Sequence, residues 1–300
     1  MDFGYSSAIY YEFDLMSVLP LFREAGIKYI ELSSGLPHLD CCRPDTAREL
    51  GKKLNELSLK PYSAHLPFGT GLDIASLDRN HRKQAVGKIL ESCAFFKEVN
   101  ENISFVLHPG GSILENSGHR HGAGNLTDKN YESVRLAMVE ASIKSVMELA
   151  RAYPGNRFCM ETHFPPYLGG SIDDIHRIIS TIDRENVGVC IDTSHVNLHF
   201  DPVKVVRLFG KKIYAFHLSD NYKTYDSHFM PGEGTVKWDD FFSNVEDIGF
   251  AGIATIEVLR HDYTLSKYEL MKQAYRRFTD LHAECLNKYE LQKKMWNFWW

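Results

Sequence analysis

The feature that most constrains this chain is an alternation along its whole length: a short, nearly continuous apolar run, then a longer amphipathic stretch, eight times over. Residues 27–32, 59–65, 103–108, 157–161, 187–192, 213–217 and 253–257 read as strands, with 3–9 as an opening one. Residues 45–57, 79–99, 131–153, 172–182, 202–209, 238–248 and 264–286 read as helices; in 131–153, Val134, Met138, Ala141, Val146 and Leu149 recur near helical spacing. Gly188-Val189-Cys190-Ile191 and Ala254-Thr255-Ile256 are apolar at almost every position, as in a parallel strand covered on both faces. Eight such units in 300 residues predict an α/β fold, a closed (β/α)8 TIM barrel, with an open doubly wound sheet as the alternative. A single barrel domain is expected over 1–290, followed by an aromatic C-terminal tail at 291–300 that ends Met295-Trp296-Asn297-Phe298-Trp299-Trp300.

Composition removes several function classes. A net charge of -5 and only short basic pairs, such as Lys211-Lys212 and Lys293-Lys294, disfavour a dedicated nucleic-acid binder. No apolar run reaches the length of a membrane span. The N-terminus lacks a basic segment followed by an apolar one, so no signal peptide is expected. The six cysteines form no C-x-x-C pair and no secreted framework, which points to a reducing, cytoplasmic setting.

Chemistry concentrates where the predicted strands end. The third ends at His65, the fourth at His108, the fifth at Glu161, the sixth at Asp192, the seventh at His217 and the eighth at Glu257. In a parallel barrel these ends share the catalytic face. His195 follows Asp192 by three positions, and Asp226 and His228 lie in the loop after strand seven. Positions two apart in an extended loop point the same way, so this last pair can face one site. Any one of these histidines taken singly reads as a hydrogen-bonded structural residue. Together they read as a metal site, and mixed imidazole and carboxylate ligands suit Zn, Mn, Fe or Co better than Ca.

These segments resemble the xylose isomerase-like barrels, which include ketose 3-epimerases, hydroxypyruvate isomerases, inosose dehydratases and the endonuclease IV enzymes. The resemblance rests on His65-Leu66-Pro67-Phe68, His108-Pro109-Gly110, Met160-Glu161, Cys190-Ile191-Asp192-Thr193-Ser194-His195, His217-Leu218-Ser219-Asp220 and Pro231-Gly232-Glu233-Gly234. In the epimerase and isomerase branch it implies one divalent metal, zinc or manganese foremost, with magnesium, cobalt or iron as alternatives. Glu161, Asp192, His217 and Glu257 would hold it. The implied chemistry is proton transfer through a metal-stabilised enediolate of a sugar or polyol-like hydroxy-carbonyl substrate. Glu161 and Glu257 would act as base and acid, and His195 would contact a substrate oxygen.

In the endonuclease IV branch the resemblance implies three zinc ions on nine ligands, and His65, His108, His195, Asp226 and His228 complete that set. A trinuclear zinc phosphodiesterase is therefore the second reading, and a non-catalytic metabolite-binding barrel the third. The acidic net charge argues against DNA as substrate, as do Phe68-Gly69-Thr70-Gly71-Leu72-Asp73-Ile74-Ala75 and the Asp192-Thr193-Ser194-His195 turn, which are closer to the sugar branch.

Other residues carry weaker expectations. His65, His108 and His163 are placed to contact substrate, and Arg260 to bind an anionic group. His119 and His121, in the Gly-rich stretch 109–128, read as surface loop. Gly169-Gly170 reads as a turn before a helix. The aromatic tail reads as docked on the chain's own barrel or on a second subunit of a homo-oligomer.

Overall fold

The apolar runs pair side by side in chain order, and the eighth closes on the first. All eight pairings are parallel. The computed structural model describes residues 1–41, 43–116, 129–259 and 264–299, without the side chains of 44, 129 and 292–299. The strands are β1 (Asp2–Ser6), β2 (Tyr29–Ser33), β3 (Lys60–His65), β4 (Ser104–Leu107), β5 (Phe158–Glu161), β6 (Val187–Asp192), β7 (Ile213–Leu218) and β8 (Ile253–Ile256). The helices are α1 (Leu15–Glu24), α2 (Pro44–Glu56), α3 (Arg79–Val99), α4 (Ile113–Asn116), α5 (Lys129–Ala152), α6 (Ile172–Ile182), α7 (Thr193–Asn197), α8 (Pro202–Phe209), α9 (Trp238–Asp247) and α10 (Lys267–Trp299). The expected single (β/α)8 barrel is thus the observed fold.

Helix boundaries follow from caps and buried faces. Asp14, Asp78 and Asp201 each accept a backbone N–H in the first turn of α1, α3 and α8, which satisfies donors that no helical carbonyl can reach. On α6, Ile172, Ile175, Ile178, Ile179 and Ile182 are all buried, one stripe at helical spacing against the sheet. Each such side chain taken from water contributes about 1.5–3 kcal/mol.

Strands β5 and β6 are buried at every position. Along each strand, alternate residues face the interior. One turn of the pleat below the site, Val106, Cys159, Cys190 and Ala215 form a small apolar cluster in the barrel. The two cysteines are therefore packing groups, as expected of thiols in apolar strands, and burial pushes the Cys159 thiol up to about 12.

Several expected boundaries shift. The opening run stops being a strand at Ser6, and Ser7–Tyr10 is a 3-10 helix whose cap is the Ser6 hydroxyl. The stretch 109–128 is not wholly irregular, because α4 lies within it; His119 and His121 lie outside the described residues. The last helix continues past 286 through Trp299, so the backbone of the expected tail is a continuation of α10 as far as it is described. Helix α1 contains Pro20 and α7 spans one short turn, and neither is predicted by periodicity. Among the described residues, no helix is long and apolar enough to cross a membrane.

Candidate metal centre and substrate cavity

Register brings the predicted residues to one rim. Asp192 on β6 pairs with His217 on β7, and Glu161 on β5 pairs with Cys190, two residues before Asp192. His65, Glu161 and Asp192 are final strand residues as expected, whereas His217 precedes Leu218 and His108 and Glu257 each follow their strand by one. Donor atoms of Glu161, Asp192, His217 and Glu257 lie within 4.8 Å of one another, all four buried. Nδ1 of His217 is 3.1 Å from Glu161 Oε1, 3.0 Å from Glu257 Oε2 and 3.9 Å from Asp192 Oδ2.

The remaining candidates stand beside this quartet in two groups, His65 with His108 on Glu161, and His195 with His228 on Asp192. Glu161 Oε2 is 2.9 Å from His65 Nε2 and 3.2 Å from His108 Nε2. Asp226 Oδ2 is 3.2 Å from His195 Nε2 and 3.0 Å from His228 Nε2. Asp226 and His228 do meet, but not by extended alternation. His228 has a left-handed φ of 48°, a conformation costing a non-glycine residue about 1–2 kcal/mol.

Three of the histidines are oriented by main-chain carbonyls. Nδ1 of His65 donates to Leu66 O at 3.0 Å, Nδ1 of His195 to Thr162 O at 2.9 Å and Nδ1 of His228 to Glu257 O at 2.7 Å. Each bond leaves Nε2 to face the carboxylates, the arrangement that fixes the tautomer of a ligating imidazole. His163 is set differently: its Nδ1 accepts the Phe164 N–H at 2.9 Å, so Nε2 carries the hydrogen. Its ring stacks between Tyr167 and His195, with centroids 4.4 and 4.8 Å away.

The electrostatics are those of a dense mixed cluster. Burial alone would raise Glu161, but His217 and His108 bring it well below the usual carboxylate range. Glu257 falls to about 2 against the effect of burial, through His217 and then His228. Asp192 goes the other way, raised by burial to about 6. His228 rises to about 10 despite burial, because of Asp226, and Asp192 and Asp226 raise His195 in the same way. His163 is held well below its ordinary value by burial and by His108 and His195, so it is neutral.

A divalent cation fits this donor set. Asp192 Oδ1 is used by the His195 N–H, while Oδ2 is buried with no hydrogen-bond partner. A buried, unsatisfied carboxylate oxygen is costly unless something cationic meets it. The cluster opens into a cavity of about 1180 Å³, whose wall includes His65, His108, His163, Phe68, Tyr167 and Ser112. Phe68 and Tyr167 leave half and over a third of their surface exposed there.

Two loops around the cavity are pinned by carboxylates that sequence reading does not single out. Asp220 accepts the N–H groups of Gly232 and Val236 and the Trp238 indole N–H at 2.9, 3.1 and 2.9 Å. A Cβ on Gly234 would stand 2.2 Å from Asp220 Oδ1, so the Pro231-Gly232-Glu233-Gly234 turn needs glycine for close approach. Asp73 accepts from Ala75 N, Gly111 N and Asn116 Nδ2, tying the loop after β3 to the loop after β4. Glu31 on β2, fully buried and close to His217, is a third carboxylate that sequence reading does not single out, and it lies inside the barrel rather than on a loop. Arg260 lies outside the described residues, so its expected anion contact has no structural counterpart.

A family model described as the xylose isomerase-like TIM barrel matches residues 19–281. The chain belongs to this family. Among relatives of this xylose isomerase-like barrel, an uncharacterized protein of Methanocaldococcus jannaschii is 25% identical over 279 residues, covering 91% of this chain and 89% of its own. Inosose isomerase of Bacillus subtilis is 23% identical over 159 residues, 50% of this chain and 56% of that enzyme. Fructoselysine 3-epimerase of Shigella flexneri is 23% identical over 270 residues, 87% of this chain and 91% of the enzyme. A solved D-tagatose 3-epimerase-like protein superposes with a TM-score of 0.76 at 22% identity, over 97% of this chain and 99% of its own. A structure of IolI protein with a bound zinc atom gives 0.71 at 18% identity, over 96% and 99%. At these identities the two structures show a shared fold.

Proposed function

We propose that the chain is a divalent-metal-dependent isomerase or epimerase of a sugar, cyclitol or related hydroxy-carbonyl compound. The observation that carries the reading is the buried quartet Glu161, Asp192, His217 and Glu257, with its donor atoms within 4.8 Å of one another. Those four residues would hold the ion, and zinc or manganese suits their mixed carboxylate and imidazole chemistry. A divalent ion there supplies Lewis acidity, offsetting the negative charge that develops on a substrate oxygen when a neighbouring C–H proton leaves. Glu161 and Glu257 take up and return that proton on their carboxylate oxygens, one as base and the other as acid. His163 offers Nε2–H to a substrate hydroxyl or carbonyl, and its neutral state keeps it a donor of fixed orientation. Two named relatives, an isomerase and a 3-epimerase, support the reaction class, and the zinc atom in the IolI structure supports the metal.

The test is exchange of a substrate carbon-bound proton with deuterated solvent, followed by NMR across a panel of ketoses and inososes. Exchange that is present in the native protein and absent in Glu161→Gln and Glu257→Gln supports the assignment. Undiminished exchange in both variants refutes it. A second reading, a phosphodiesterase using three zinc ions, is favoured by the two flanking groups, His65 with His108 and His195 with His228. Elemental analysis separates the readings: one metal per chain favours the isomerase, whereas three zinc ions with cleavage of abasic DNA favour the phosphodiesterase.

A further inference from the structure

We infer that Glu31 is the positioning residue for His217, holding Nε2–H of that ring so that the lone pair of Nδ1 faces the carboxylates of Glu161, Asp192 and Glu257. The inference rests on the metal-site reading above and concerns how the site is prepared.

Orientation sets His217 apart from its neighbours. His65, His195 and His228 turn Nε2 inward because a main-chain carbonyl takes their Nδ1–H. His217 turns Nδ1 inward, so its Nε2 points back into the barrel wall, where the ring is fully buried. Glu31 Oε1 stands there, 3.0 Å away. The two atoms are not aligned as a hydrogen bond in this structure, yet both are buried and neither makes one elsewhere among the described residues; the Cys190 thiol, which also stands against the ring, is a far weaker acceptor than a carboxylate. Each is therefore the group available to satisfy the other.

The other half of the carboxylate is already committed. Glu31 Oε2 accepts the Ser63 hydroxyl at 2.7 Å and the Thr255 hydroxyl at 3.3 Å. Thr255 spends its single hydrogen on Glu31, so the short contact with Tyr62 is donated by the tyrosine. These hydroxyls from β3 and β8 fix the plane of the carboxylate and leave Oε1 aimed at the ring. Around it the barrel interior is filled by Val106, Cys159, Cys190 and Ala215, so an apolar residue at 31 would serve packing better than a buried charge. A carboxylate behind a ligating imidazole has a role packing does not supply: it fixes the ring's tautomer and raises its basicity toward a cation.

The test titrates zinc into full-length protein stripped with EDTA, with a chromophoric chelator as competitor. Wild type, Glu31→Gln and Ser63→Ala are compared, with circular dichroism to confirm folding. The expected result is zinc affinity lowered about 10–100-fold in Glu31→Gln and within a few-fold of wild type in Ser63→Ala, which keeps Oε1. In the cobalt(II)-loaded protein, the exchangeable ring N–H of His217 gives a slowly exchanging paramagnetically shifted proton signal, and Glu31→Gln accelerates its exchange. If Glu31→Gln does not fold, Glu31→Asp, which retracts the carboxylate by one methylene, is expected to lose at least tenfold. A folded Glu31 variant that binds zinc like wild type overturns the inference and leaves the metal site standing. Equal losses in Ser63→Ala and Glu31→Gln also overturn it, since both would report general loosening of the barrel. Wild-type protein that takes up no zinc removes the metal-site reading and this inference with it.

Discussion

Asp192 divides its two carboxylate oxygens between the fold and the site. Oδ1 caps α7 by accepting the His195 N–H at 2.9 Å, and Oδ2 faces His217 without a hydrogen-bond partner. Asn can still cap a helix but offers no charge to a cation. In Asp192→Asn, zinc affinity should fall at least tenfold, and most of the zinc-induced rise in Tm should disappear. The Tm in EDTA should change little, because Asn keeps the capping bond of Oδ1 and Oδ2 has no hydrogen bond to lose. Calorimetry with and without EDTA checks both, and an undiminished zinc shift would take Asp192 out of the ligand set.

His163 can be tested apart from the metal ligands. Its Nδ1 is occupied by the Phe164 N–H, and its ring stacks on Tyr167 and His195. Phe at this position keeps the stacking and removes the Nε2–H donor. His163→Phe should raise KM about tenfold, the worth of one hydrogen bond at roughly 1.4 kcal/mol, with kcat changed less. Steady-state kinetics on the substrate found by deuterium exchange would show this; a fall in kcat alone would contradict it.

The loop after β7 makes a prediction about packing. A Cβ at residue 234 would stand 2.2 Å from Asp220 Oδ1 and 2.4 Å from the Asn221 carbonyl. Gly234→Ala should therefore cost about 1–3 kcal/mol, the usual range for overpacking. It should also weaken whatever depends on Asp226 and His228. Urea denaturation measures the first effect; a stability equal to wild type would mean the turn repacks without strain.

His38 supplies a pH dependence remote from the metal ligands. Its Nδ1 donates to Phe13 O at 2.8 Å, so Nε2 accepts the Ser7 hydroxyl at 3.0 Å and the ring is neutral. Burial lowers its pKa, and the backbone carbonyls of Phe13 and Tyr10 only partly oppose that. The unfolded chain then takes up the proton first as pH falls. The stabilisation from neutral His38 is present above about pH 6.5, the unfolded value, and is lost as pH drops below it. The stability difference between wild type and His38→Gln should shrink from pH 7.5 to pH 5.5 in urea titrations. A difference that grows toward low pH would reverse the assignment.

Much of the site is legible in the sequence because a parallel barrel places strand ends together. Runs such as 187–192 and 213–217 mark the strands, so the residues that end them are neighbours before any coordinates exist. Glu31 escapes this reasoning. In Tyr29-Ile30-Glu31-Leu32-Ser33 an acidic residue between apolar ones reads as the solvent side of a strand; Ser63 is its register partner on β3, and only barrel closure brings Thr255 and His217 to it. Asp220 and Asp73 escape because most of their partners are backbone N–H groups, which carry no residue type. Helix α1 is hidden by Pro20, a residue that normally ends a helix. The stretches holding His119, His121 and Arg260 lie outside the described residues, so those expectations stand as sequence statements.

The Asp220 carboxylate gathers the far end of the loop after β7 back onto its beginning, through Gly232, Val236 and Trp238. The crest between, where Tyr222 and Tyr225 leave more than half their surface in solvent, has no part in that anchorage. Changes at Tyr222 and Tyr225 therefore leave the anchorage untouched, and with it the footing of the segment that carries His228.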